Sequence, residues 1–165
     1  MQKMFDEIYR KYAKELYVYI YNLCRNDALA EDILQETMLK AVMSIDRFKG
    51  ECSLKTYLCR IARNIWLNHV KKAENRNISL DETVEQDSGE SIEEQLGNKM
   101  QSQAIHRILH TLDEPYKEIF TLRVFAELKF NDIGGLFGES ANWARVTFFR
   151  AKEKILRQLK EEEQI

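Results

Sequence analysis

The chain has 165 residues and a net charge of −2, with 44% hydrophobic and 32% charged side chains; this suits one ordinary domain or two small ones and excludes wholesale disorder. A single Pro and six Gly supply too little turn chemistry for a sandwich or barrel of short strands, so an all-α protein is expected. No apolar run approaches the ~18 residues needed to cross a bilayer. The amino terminus carries Asp6 and Glu7 rather than a signal-type apolar core, and Cys24, Cys52 and Cys59 form no C-x-x-C pair, so the expected compartment is the cytoplasm.

The first predicted helix runs from about Met4 to Leu23, where Phe5, Ile8, Tyr9, Tyr12, Leu16, Tyr19, Ile20 and Leu23 repeat at helical spacing. Arg25-Asn26-Asp27 interrupts it, and Asp27 is expected to cap a second helix, Ala28 to about Ile45. That helix turns Ala30, Ile33, Leu34, Thr37, Met38, Ala41, Val42 and Ile45 inward. After a loop from Asp46 to Cys52, Ser53 is the expected cap of a third helix reaching Lys72, with Leu54, Tyr57, Leu58, Ile61, Ala62, Ile65 and Val70 inward. Three helices with short connections make a compact bundle.

Periodicity then fails. Residues 73–98 are rich in Asn, Asp, Glu, Ser, Gln and Gly and hold 8 acidic side chains against 1 basic, which predicts a flexible acidic linker, helical again from about Ile92. The flanks differ: residues 1–72 hold 13 basic and 9 acidic side chains, and residues 99–165 hold 11 and 10. Ser53–Lys72 and Trp143–Lys160 are the most basic windows, consistent either with two contacts to a polyanion or with two solvated helix faces.

Helical spacing resumes at Ala104, Ile105, Ile108, Leu109 and Leu112, and Asp113-Glu114-Pro115 ends that helix. Another continues through Ile119, Leu122, Arg123 and Phe125 to about Ala126. Asn131–Phe137, the turn Gly138-Glu139-Ser140 and a long basic helix from Ala141 to about Lys160 form a helix-turn-helix pattern. On the long helix Ala144, Phe148, Ala151 and Ile155 share the packing face. Asn142, Arg145, Val146 and Phe149 lie off it, placed to read base edges in a major groove, with Arg150, Lys152 and Lys154 available to phosphates.

Two further constellations stand out. Asp32, Gln35, Glu36, Leu39 and Met43 form the face of the second helix opposite its core, polar at one end and apolar at the other, which suits a protein partner. Phe48-Lys49-Gly50 lies beside Arg60, Arg63 and Asn64; an aromatic ring next to amide and guanidinium groups suits an unstacked base, although Phe48 closing the core beneath its loop also fits. Catalytic readings gather nothing. His106 and His110 stand i, i+4 without the Glu of H-E-x-x-H, no phosphate-cradling Gly loop or G-x-S-x-G occurs, and no cofactor or metal is expected.

Taken in order, these segments resemble bacterial RNA polymerase sigma factors of the extracytoplasmic-function (ECF) group. Ala30–Thr37 resembles the family's polymerase-binding helix. Asp46–Gly50 with Leu54–Asn64 resembles its promoter-melting segment, and Leu112–Tyr116, Phe130–Ile133 and Trp143–Lys152 resemble its helix-turn-helix. The resemblance implies a sigma-2-like bundle (residues 1–72), the acidic linker (73–98) and a sigma-4-like helix-turn-helix domain (99–165). It implies that Asp32, Gln35, Glu36, Leu39 and Met43 engage core polymerase through its β′ subunit, with further contact to β. Phe48, Lys49, Tyr57, Arg60, Arg63 and Asn64 would meet the minus-ten element, Phe48 and Asn64 lining a pocket for a flipped base. Asn142, Trp143, Arg145, Val146, Phe149, Arg150, Lys152 and Lys154 would meet the minus-thirty-five element. It also implies control by an anti-sigma factor, no small-molecule substrate, no membrane insertion and no bond chemistry. A stand-alone helix-turn-helix regulator, its first domain a ligand or dimerisation module, is the alternative. Three positions depart from the family pattern: Tyr57 stands where Trp is usual, Gly134 where Ala is usual, and Trp143 where the residue is usually small.

Overall fold

The computed structural model describes residues 2–75 and 99–163, and its chain divides into two compact helical units. Among the described residues every regular element is helical. The first unit contains α1 (Gln2–Cys24), α2 (Asp27–Ser44), a single 3₁₀ turn (Ile45–Arg47) and α3 (Leu54–Asn75). The second contains α4 (Lys99–Thr111), α5 (Tyr116–Val124), α6 (Phe130–Phe137) and α7 (Ala141–Glu163).

In the first unit all three helices pack on one another. The stripe expected on α1 is buried at Ile8, Leu16, Tyr19, Ile20 and Leu23, and that of α2 is buried from Ala30 to Val42. Polar groups enter this core too. Asn22 is buried and donates from Nδ2 to the Val18 carbonyl (2.8 Å), which meets part of its hydrogen-bonding need within its own helix.

Helix boundaries differ from expectation in instructive ways. Asn26, not Asp27, caps α2: its backbone is extended and its Oδ1 accepts from the Leu29 N–H at 2.9 Å. Asp27 instead lies in the first turn, where a carboxylate suits the helix dipole, and accepts from the Tyr17 hydroxyl at 2.9 Å. Ser53 caps α3 as expected, its Oγ accepting from the Thr56 N–H at 3.1 Å. That helix runs to Asn75 rather than Lys72, because Ala73 is still buried and holds its last turn to the bundle. The helix expected from Ile92, and the linker from residue 76 to 98, lie outside the described residues.

In the second unit α7 is the common wall: α4, α5 and α6 all pack on it. Its buried stripe is Ala144, Thr147, Ala151, Ile155 and Leu159, with Phe148 half-buried and stacked on Phe120 (ring centroids 5.7 Å). An ion pair between Arg107 and Glu162 (2.7 Å) joins α4 to the far end of α7.

Candidate nucleic-acid and partner interfaces

Three exposed surfaces carry the residues singled out by the sequence. On α2, Asp32, Gln35, Glu36, Leu39 and Met43 are all exposed, opposite Ile33, Leu34, Thr37 and Met38 in the core. Leu39 is 55% and Met43 74% exposed, one turn apart on the same face. Glu36 is paired with Lys40 one turn on (3.3 Å). Such exposed pairs are worth ~0–1 kcal/mol, so an incoming cation displaces Lys40 at small cost.

The second surface joins the loop after α2 to the exposed face of α3. Phe48 is half-buried, neither sealed into the core nor free in solvent, and its ring lies against Tyr57 with centroids 4.8 Å apart at 38°. Its N–H donates to the Ile45 carbonyl (3.1 Å), closing the 3₁₀ turn. Tyr57, Arg60 and Asn64 follow at i, i+3 and i+7 along α3, a stripe ~10 Å long at 1.5 Å per residue. Arg60 and Asn64 are exposed, Arg63 flanks them half-buried, and Lys49 is exposed on the loop. This arrangement offers one aromatic face followed by a row of donors.

The third surface is the amino-terminal half of α7. Gly138 ends α6 in the left-handed conformation (φ +69°), which glycine adopts without a Cβ penalty, and Ser140 Oγ then caps α7 by accepting from the Trp143 N–H (3.0 Å). The turn presses tightly on α6. A Cβ built on Gly134 would lie 2.6 Å from the Ser140 carbonyl oxygen and 2.8 Å from that of Glu139. Glycine at 134, a departure on helix propensity alone, is therefore required by the approach of the turn.

Asn142, Arg145, Val146 and Phe149 are exposed on the side of α7 away from its buried stripe. Arg145 Nη2 donates to Asn142 Oδ1 at 2.6 Å, so these two polar side chains meet each other at the surface. Phe149 is held from below by Phe148 (5.5 Å) and Phe130 (6.4 Å), and Arg123 lies over the Phe130 ring at 4.1 Å. Exposed Lys152 stands on one flank of this face and exposed Arg150 on the other. Two residues are more engaged than the sequence indicated: Trp143 is half-buried against Phe137 (5.4 Å), and Lys154 Nζ lies over the Tyr116 ring at 5.1 Å. The support given by Phe130 and Arg123 was not anticipated; the only sequence signal was an aromatic opening α6.

A helical bundle with exposed basic side chains beside a half-buried aromatic, followed by a helix-turn-helix with exposed basic and aromatic side chains, is the architecture of a bipartite DNA-binding protein. The family models for sigma-70 region 2 and sigma-70 region 4 match residues 8–76 and 102–155, in that order. The chain belongs to the sigma-70 family of transcription initiation factors, in its ECF group. It is similar to the RNA polymerase sigma factor YlaC of Bacillus subtilis, 27% identical over 97% of this chain and 96% of that one. The ECF RNA polymerase sigma-E factor of Haemophilus influenzae is 32% identical over 79% of this chain and 74% of its own. Among solved structures, the sigma factor RpoE of Bartonella quintana, crystallised with the anti-sigma factor NepR, shares the fold with a TM-score of 0.78 at 21% identity, over 96% of this chain and 98% of that one. A region 2 match across the first unit leaves no support for a ligand-binding or dimerisation module there.

Proposed function

We propose that this protein directs core RNA polymerase to a specific set of promoters and helps to open them, acting in the cytoplasm and catalysing no bond chemistry. The observation that carries the reading is the ordered presence of region 2 and region 4 on one chain, each bearing an exposed surface of the required chemistry. In this reading residues 1–72, extended to Asn75 by the last turn of α3, form the core-binding and minus-ten domain, the rest of 73–98 the acidic linker and 99–165 the minus-thirty-five domain. Asp32, Gln35, Glu36, Leu39 and Met43 dock on core polymerase, mainly on β′. Phe48 stacks on a base flipped from the minus-ten element, Asn64 hydrogen-bonds it, and Lys49, Arg60 and Arg63 hold the neighbouring backbone. Asn142, Arg145, Val146 and Phe149 face the minus-thirty-five base edges, with Arg150 and Lys152 on phosphates. An anti-sigma factor holding the chain in reserve fits the similarity to a sigma factor crystallised in such a complex.

The test is core binding by a variant with both Asp32→Ala and Glu36→Ala. Both side chains are exposed and support no packing, so helicity is expected to persist. Loss of a charge-assisted interface contact is expected to weaken core affinity by ~2–5 kcal/mol. Unchanged affinity in equilibrium titration with core polymerase removes α2 from the polymerase interface.

A further inference from the structure

The Phe48 ring is placed by a contact that reaches past it. Tyr57, on the first turns of α3, carries that ring on its own, and its hydroxyl is hydrogen-bonded to Ser44 at the last residue of α2. Ser44 Oγ is also within hydrogen-bond distance of the Lys40 carbonyl (2.7 Å), and when it donates there Tyr57 is the donor between the two hydroxyls. The bond therefore bridges the two ends of the loop from Ile45 to Ser53 that carries Phe48. We propose that Ser44 and Tyr57 are a pair of positioning residues that fix the Phe48 ring for stacking on a flipped base. The proposal rests on the base-capture reading of Phe48 given above.

Physically, the pair removes freedom from one aromatic group before the nucleic acid arrives. A base stacks on a ring already fixed at its rim instead of ordering a loop during promoter opening. Ser44 lies outside the residues assigned to DNA, so its loss should leave duplex capture alone and slow the opening step.

The experiment uses the full chain with core polymerase, on a template that the unaltered chain selects from a randomised promoter pool. Permanganate reactivity of unpaired thymines reads opening, filter retention reads closed-complex affinity, and thermal unfolding reads the fold. Tyr57→Phe and Ser44→Ala should each slow opening about fivefold, the scale of one net hydrogen bond. In Ser44→Ala, closed-complex affinity and unfolding temperature should be unchanged. The double variant should lose no more than either alone, and Ser44→Thr, which restores a hydroxyl, should open at the original rate. Phe48→Ala separates the two claims. Normal opening by Phe48→Ala overturns base capture itself. Slow opening by Phe48→Ala with normal opening by both hydroxyl variants overturns only the positioning role. Full additivity in the double variant, or parallel losses of opening and thermal stability, also overturns it, since the residues would then act separately or merely support the fold.

Discussion

Among the described residues, Cys59 is one of two whose chemistry the first unit alters strongly. It is 1% exposed, and burial pushes its thiol up to about 12, with a smaller opposing pull from Lys55. Tyr17 moves the same way, raised first by burial and then by donating to Asp27. Both groups hold their protons more tightly folded than unfolded. Their stability contribution is thus complete below the unfolded values, ~8.5 for Cys and ~10 for Tyr, and is lost as pH rises toward the folded ones. Native protein treated with iodoacetamide at pH 8 should carry label on half-exposed Cys52 and none on Cys59, by peptide mass spectrometry, and its thermal stability should fall between about pH 9 and 12. Equal labelling of the two thiols contradicts a closed core. Single residues were also where the sequence was least legible. Asn22 sits beside apolar positions yet counts as polar, so no hydrophobic pattern places it inside. Asn26 and Asp27 both suit a cap, and only the backbone angles show which one performs it.

Elements were far more legible than residues, because each depends on many side chains agreeing. The repeating apolar positions of α1, α2, α3 and α7 located those helices to within a few residues, and the Gly138–Ser140 turn was readable from its capping chemistry. The crowding of that turn onto α6 was not readable, since Gly134 and Gly135 look equivalent in sequence. The structure separates them: added atoms at Gly134 meet backbone carbonyls, whereas at Gly135 they meet nothing within 4 Å. Gly135→Ala should gain roughly 1 kcal/mol from helix propensity. Gly134→Ala should instead lose about 1–3 kcal/mol by overpacking against atoms that cannot rotate away. Thermal unfolding of the two variants side by side checks this, and equal stabilisation by both means that the turn yields freely. The same comparison tests how rigidly α7 is presented, because this turn sets where that helix begins.

At the scale of the whole molecule, the proposed function divides recognition between two helical units, each with one short face for DNA. Specificity in sequence space comes from base-edge contacts, while phosphate contacts add affinity without discrimination. In the proposed assignment the minus-thirty-five face has four base-directed residues, and the minus-ten face needs a base already out of the stack. The free chain is therefore expected to enrich no sequence from a randomised duplex pool at physiological salt, and the same chain on core polymerase to enrich one strongly. Tight, selective binding by the free chain contradicts this division. In that pool the bond between Arg145 and Asn142 has a consequence of its own. With Asn142 Oδ1 accepting one bond and keeping a second lone pair, the pair presents the Asn142 amide hydrogens and the remaining guanidinium hydrogens, so it is rich in donors and poor in acceptors. Guanine offers it N7 and O6, adenine N7 and thymine O4, whereas the cytosine amino group can be met only by the one lone pair left on Asn142 Oδ1. If this face meets DNA as proposed, a bond made within the free protein thus biases the strand it faces away from cytosine.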